Sequence, residues 1–135
     1  MPGSLPPEAK PFQYVIVRVV PRVDRGEQLN AGVVLYSTPL EFLAARVQLD
    51  EARLAALAPS ADPAAIRPHL DAICAIAAGD PAGGPIAQFD RSRRFHWLAA
   101  PASTVIQPSP IHTGMCDDPQ AMLEHLFREL VLPVS

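Results

Sequence analysis

One run of nine residues limits the fold more than any other part of the chain. Phe12 to Val20 reads FQYVIVRVV, dense in β-branched and aromatic side chains and apolar at both odd and even positions. A strand with one buried face alternates apolar with polar, whereas a strand covered on both faces does not. The run therefore predicts a strand near the middle of a sheet, packed on both sides, and Pro21 ends it. The chain has 135 residues, 49% hydrophobic and 19% charged, which is enough for one domain with its own core. A disordered chain has the reverse balance.

The rest of the chain supplies partners for that strand. Leu29 to Tyr36 resumes strand character, and Phe42 to Gln48 forms a hairpin with it about the turn at Ser37 to Pro39. Gly32 inside the second strand predicts a bulge or a close backbone approach, and Asn30 on the same face needs hydrogen-bond partners. Helices then take over. Asp50 caps a short helix through Leu57. Asp62 and Pro63 open a longer one, in which Ile66, Leu70, Ile73 and Ile76 recur at helical spacing until Gly79 stops it. Pro68 within that run predicts a kink or a restarted helix. Pro85 opens another short helix through Phe89 and Asp90. Phe95 to Leu98 and Thr104 to Gln107 read as two further short strands. The last element is a helix from Pro119 to Val131, capped by Asp118, with Met122, Leu123, Leu126, Phe127 and Leu130 on one broad apolar face. The sum is an α+β fold, an antiparallel sheet of about four to five strands with helices packed on it. Residues 1–11, with four prolines and a glycine, read as a flexible arm, and residues 12–135 as a single domain.

Several function classes are disfavoured at this point. A net charge of −3 and a pI near 5.7 speak against a duplex DNA binder that works through a basic surface. No stretch approaches the roughly 20 apolar residues of a membrane span. The first ten residues lack the apolar core of a secretory leader, so the expected compartment is the cytoplasm. Cys74 and Cys116 stand far apart and match neither a disulfide framework nor a paired metal motif, which reads as two reduced, half-buried thiols.

The stretch richest in chemistry is Arg94 to Gly114, RFHWLAAPASTVIQPSPIHTG, which holds the single tryptophan. Its prolines stiffen a loop that carries Ser103, Thr104, Gln107, Ser109, His112 and Thr113. Either these groups satisfy one another and the nearby backbone, or they face a ligand or partner. Ser109, His112 and Asp117 can be written as a triad, but a triad is a matter of geometry and no GxSxG elbow is present. His112, Cys116 and Asp117 with His96 could be written as a zinc set. Gly114 and the Asp118-Pro119 cap place that piece in a loop, so no metal is assigned. The glycines fit neither GxGxxG nor a P-loop, and no cofactor is assigned. Arg91, Arg93 and Arg94, beside Phe95 and Trp97, favour an anionic small ligand or an acidic partner over nucleic acid. The residues singled out for ligand or partner binding are Asn30, Arg94, His96, Trp97, Thr104, Gln107, Ser109 and His112. No catalytic residue is assigned.

These pieces in this order resemble the DUF3037 family of bacterial proteins. The likeness runs through YVIVRVVPR at Tyr14 to Arg22, RGEQLNAGVVLY at Arg25 to Tyr36, FLAARVQLD at Phe42 to Asp50, the Arg94 to Gly114 stretch, and DDP at Asp117 to Pro119. Ala31 and Ala102 stand where the family pattern suggests a larger aliphatic and a basic residue, and the second removes a possible anion contact. The resemblance carries over no catalytic residue. It implies a stand-alone bacterial cytoplasmic domain and, as a partner, a HipA-like Ser/Thr kinase that the domain would bind and modulate, with Trp97 as anchor. The leading expectation is thus a non-enzymatic interaction or regulatory domain. The rival is a small-ligand or enzymatic domain in which His96, Gln107, Ser109 and His112 converge on a pocket next to Asn30. A homodimer through the sheet edge or the final helix is compatible with both.

Overall fold

The computed structural model describes residues 8–102 and 104–133. Most of the predicted arm therefore lies outside the described residues, as does Ser103. The central strand, β1, spans Lys10–Val19 and is flanked by β2 (Leu29–Ser37), which pairs in turn with β3 (Phe42–Val47). All pairings are antiparallel. β1 begins two residues earlier than the sequence suggests. Lys10 and Pro11 belong to the sheet, opposite Cys116 and Met115.

The other edge of β1 is shared. β4 (Ile106–Pro108) pairs with Val17 to Val19, and β5 (His112–Cys116) pairs with Lys10 to Tyr14. Between these stretches Val15 and Ile16 stand opposite three residues, Ser109, Pro110 and Ile111, because Val17 aligns with Pro108 and Tyr14 with His112. One extra residue means a bulge, and Ser109 bridges it. Its N–H donates to the Ile16 carbonyl at 2.8 Å. Its hydroxyl accepts the Ile16 N–H at 2.8 Å and donates to the Pro110 carbonyl at 2.8 Å. Ser109 is only 2% exposed, so these partners are the ones available to it.

The bulge predicted at Gly32 is present too. Val17 aligns with Gly32 and Arg18 with Asn30, which leaves Ala31 as the extra residue. Gly32 also meets the close approach expected of it. A Cβ there would lie 2.7 Å from Val47 Cγ1 and 2.9 Å from the Arg46 carbonyl oxygen.

Helices cover both faces of the sheet, as the two-faced character of β1 requires. On one face α1 (Glu51–Leu57), α2 (Pro63–Ala78) and α3 (Arg91–Ala99) bring Leu54, Ile66, Leu70, Ile76, Phe95 and Leu98 against Val15, Val17, Val34 and Tyr36. The Phe95 ring stacks on Tyr36 with centroids 5.1 Å apart. On the other face α4 (Pro119–Leu130) sets Leu123 and Phe127 against Phe12, Val33, Leu35 and Cys116. Arg46 lies over the Phe127 ring at 4.6 Å and pairs with Glu124.

The caps at Asp50, Asp62 and Asp118 are used as read, each side chain accepting a first-turn backbone N–H. Other elements differ from expectation: the strand expected at Thr104 to Gln107 is Ile106–Pro108, and the helix expected from Pro85 through Phe89 and Asp90 is a 3-10 turn, Pro85–Gln88. Phe95 to Leu98 is not a strand but part of α3, because Asp90 caps it by accepting the Arg93 N–H at 2.8 Å. Phe95 and Leu98, three residues apart, then reach the core from one helical face. Conversely, His112 to Cys116, expected to be loop, is a strand. α2 also continues through Pro68. Both Pro68 and Ala64, whose carbonyl would have bonded the missing N–H, are exposed, so the gap in the ladder lies on the solvent side of the helix.

Two predictions follow from this packing. Ser109→Ala strips the acceptor from the buried Ile16 N–H and lowers the unfolding free energy by about 1–3 kcal/mol, measured by urea denaturation. The second concerns the thiols. Burial pushes Cys74 up, with the Asp71 carboxylate adding to it. Burial also raises Cys116, helped by Asp117 and Asp118. The folded state thus holds the neutral thiols more firmly than the unfolded chain does. Their contribution stays whole below the pKa of an unfolded cysteine, about 8.5, and is lost as pH rises through the raised folded values. Unfolding midpoints between pH 7.5 and about 10 will fall less steeply for the Cys74→Ala/Cys116→Ala double variant than for the parent.

Candidate functional site

An apolar pocket of about 380 Å³ opens on the face covered by α2 and α3. That volume is within the range of small-ligand sites. Val17 of β1 and Val34 of β2 contribute to its floor. Ile73 and Ile76 of α2 form one wall, with His69 and Ala72 of the same helix beside them. Trp97 and Leu98 of α3 form another. Ala100 to Ala102 and Thr104 run along the rim, and Ile106 and Pro108 of β4 close the side toward the sheet edge. Trp97 is 52% exposed, an unusual position for the largest aromatic side chain and one that offers an indole face to a guest.

Local sequence explains this placement. α3 is short, and it commits Phe95 and Leu98 to the core. Trp97 lies two positions from Phe95 and one from Leu98, so it cannot share their inward direction. The chain leaves α3 at Ala100, and Ala100, Pro101, Ala102 and Thr104 line the pocket.

Of the eight residues singled out from sequence, the pocket brings together two, Trp97 and Thr104. The Thr104 hydroxyl donates to the Ile106 carbonyl at 2.8 Å, and the Gln107 amide donates to the Thr104 carbonyl at 2.9 Å. Ser109 bridges the bulge. His96 is on the exposed side of α3 with Nδ1 2.7 Å from the Ser92 carbonyl. His112 stacks on Tyr14 at 5.0 Å between centroids, on the α4 side of the sheet, away from the pocket. Asn30 is on that side as well and donates to the Leu130 carbonyl at 2.9 Å, tying down the last turn of α4. The rival arrangement, with His96, Gln107, Ser109 and His112 converging beside Asn30, is therefore not what the fold builds.

The arginines also separate. Arg93 lies over the Phe89 ring at 4.0 Å. The Arg94 guanidinium packs against Gly79, the left-handed cap of α2, with Nη1 2.6 Å from where a Cβ would stand. A cation at a helix C-terminus is favourably placed, so Arg94 joins α3 to α2. The Ser109 hydroxyl has Ile16 and Pro110 as partners and no imidazole, which leaves it without a base to activate it. Among the described residues no group of three His, Cys, Asp or Glu side chains is placed to hold a metal ion. What the site can do chemically is enclose an apolar group, with the His69 imidazole as a polar neighbour.

Sequence reasoning missed His69, Ala72 and Ile73 as pocket residues. The available clue was that positions 69, 72, 73 and 76 share one helical face that carries a histidine and an alanine beside two isoleucines.

No helix is long and apolar enough to cross a membrane among the described residues. No curated protein and no solved structure matches the chain. A family described as a protein of unknown function, DUF3037, matches residues 14–131. That span includes every strand residue from Tyr14 onward, all four helices and the whole lining of the pocket, and the chain belongs to the DUF3037 family.

Proposed function

We propose that this is a non-catalytic recognition domain of a bacterial cytoplasm, and that the pocket beside Trp97 takes an apolar side chain from a protein partner. One observation carries the reading. Within the Arg94 to Gly114 segment the His96, Thr104, Gln107 and Ser109 side chains are bonded to the protein's own backbone, while its tryptophan stands half exposed beside an apolar cavity. Partially exposed tryptophan beside an apolar pocket is the composition of an interface hot spot, where a few aromatic anchors provide most of the binding energy. The sequence resemblance suggests a HipA-like Ser/Thr kinase as the partner.

A second reading has its own support. A volume of about 380 Å³ suits a small apolar molecule, which would make the protein a ligand-binding regulator. The two readings differ in what co-purifies. A small molecule adds a few hundred daltons to the native mass, as estimated from the size of drug-like ligands for such pockets, and a protein partner adds a whole chain.

The test uses the kinase and this domain, each purified, in a calorimetric titration. Trp97→Ala is expected to weaken binding by at least about tenfold, since hot-spot truncations cost more than 1 kcal/mol. His125→Ala, exposed on α4 across the sheet, leaves affinity unchanged. Unaltered binding by Trp97→Ala sinks the proposal. As the single tryptophan, Trp97 also reports occupancy directly, because its emission shifts to shorter wavelength when the indole is covered.

A further inference from the structure

Among the described residues the sheet keeps one backbone edge open along β5, since β5 pairs with β1 and with no other strand. The direction of the free groups follows from Ile16. Both its carbonyl and its N–H engage Ser109, so Ile16 faces the β4/β5 side. Facing alternates along a strand, so Tyr14 and Phe12 face the same side and their register partners His112 and Gly114 face β1. Ile111, Thr113 and Met115 therefore turn their N–H and C=O groups outward.

The two halves of this edge are protected unequally. In the β4 half Pro108, opposite Val17, is turned outward, and Pro110 in the bulge beyond it also lacks an N–H, so neither presents a donor to a visiting strand. The β5 half, HTGMC, contains neither proline nor a charged residue, the devices by which exposed edges normally resist pairing. Ile111 and Met115 are each 41% exposed.

We propose that β5 pairs antiparallel with β5 of a second copy of this chain, across a two-fold axis at Thr113. The segment is self-complementary about that residue. Ile111 of each copy stands opposite Met115 of the other, so all three outward residues find outward partners and the exposed apolar side chains meet. Moving the register by one residue sets outward groups against inward ones, and moving it by two leaves one of the three unpaired. On the other face His112 comes opposite Gly114, where the Phe12 ring already occupies the space a Cβ would take, 2.5 Å from it. The neutral strand brings no like charges together. An isologous pairing of this kind closes after two copies. A strand from an unrelated protein has no reason to match the symmetric placing of Ile111 and Met115 about Thr113, which is why the occupant is a second copy.

The experiment is sedimentation equilibrium of the full chain at about 100 μM, a concentration suited to a small interface. The expected mass is twice the 14.5 kDa of one chain. Thr113→Lys sets two like charges face to face at the axis, and Thr113→Pro removes an outward N–H that no strand among the described residues uses. Each is expected to return the protein to one-chain mass with an unchanged circular dichroism spectrum, and the lysine variant serves if proline prevents folding. Thr113→Cys is expected to cross-link the pair on mild oxidation. Paired Cα atoms about 5.5 Å apart fall within the 4.4–6.8 Å a disulfide spans. A one-chain mass for the parent protein, or a dimer that persists in folded Thr113→Lys, overturns the proposal.

Discussion

The bond from the Ile16 N–H to the Ser109 hydroxyl holds together two registers that the sheet could not otherwise combine. β1 is buried on both faces, with Val15, Val17 and Ile16 all below 9% exposure, so water cannot satisfy its backbone groups and each needs a protein partner. β2 supplies one edge along most of the strand. The other edge is reached by a chain that carries one residue too many between Pro108 and His112. At that point a side-chain oxygen replaces the backbone acceptor that an uninterrupted ladder would provide. A residue with no side-chain acceptor would leave a buried donor orphaned at the centre of the molecule, which is among the costlier defects a core can hold.

Legibility in the sequence followed the range of the interaction. β1, β2 and β3 could be read to within about two residues because their pattern is continuous and their connections are short. The capping aspartates could be read because a cap is a local device. In α3 aromatic content and spacing point to different elements. His96 and Trp97 look strand-like by propensity, but Phe95 and Leu98 at i and i+3 reach the core together, and Asp90 was in place to start the turn. β5 is a different case. No local pattern marks HTGMC as a strand, and its glycine weakens the preference further. It is extended because the N-terminal half of β1 needs a partner on that side, a demand set almost a hundred residues earlier in the chain.

The candidate site divides in the same way. A sequence shows which side chains can form hydrogen bonds and not where those bonds go. Asn30, Thr104, Gln107 and Ser109 all direct them to the protein's own backbone. The pocket arises from the opposite circumstance. Val17, Val34, Ile73 and Ile76 pack as apolar residues of the core face, and the cavity lies between them, Trp97 and the described residues that follow α3. An unfilled volume is a property of the assembled fold, so no single residue announces it.

The bulge at Ser109 connects these features. On one side of it β4 forms a wall of the pocket, and on the other β5 carries the unprotected edge. Pro108 takes part in both, since its ring lines the cavity and its missing N–H closes that stretch of the edge to strand addition. A guest in the pocket and a strand along β5 therefore use different backbone and different faces of one chain segment. The elements common to both are β1, which pairs with β4 and with β5, and the register shift that Ser109 maintains between them. Ser109 is an inaccessible residue with no reactive partner, and it sets the geometry of both surfaces.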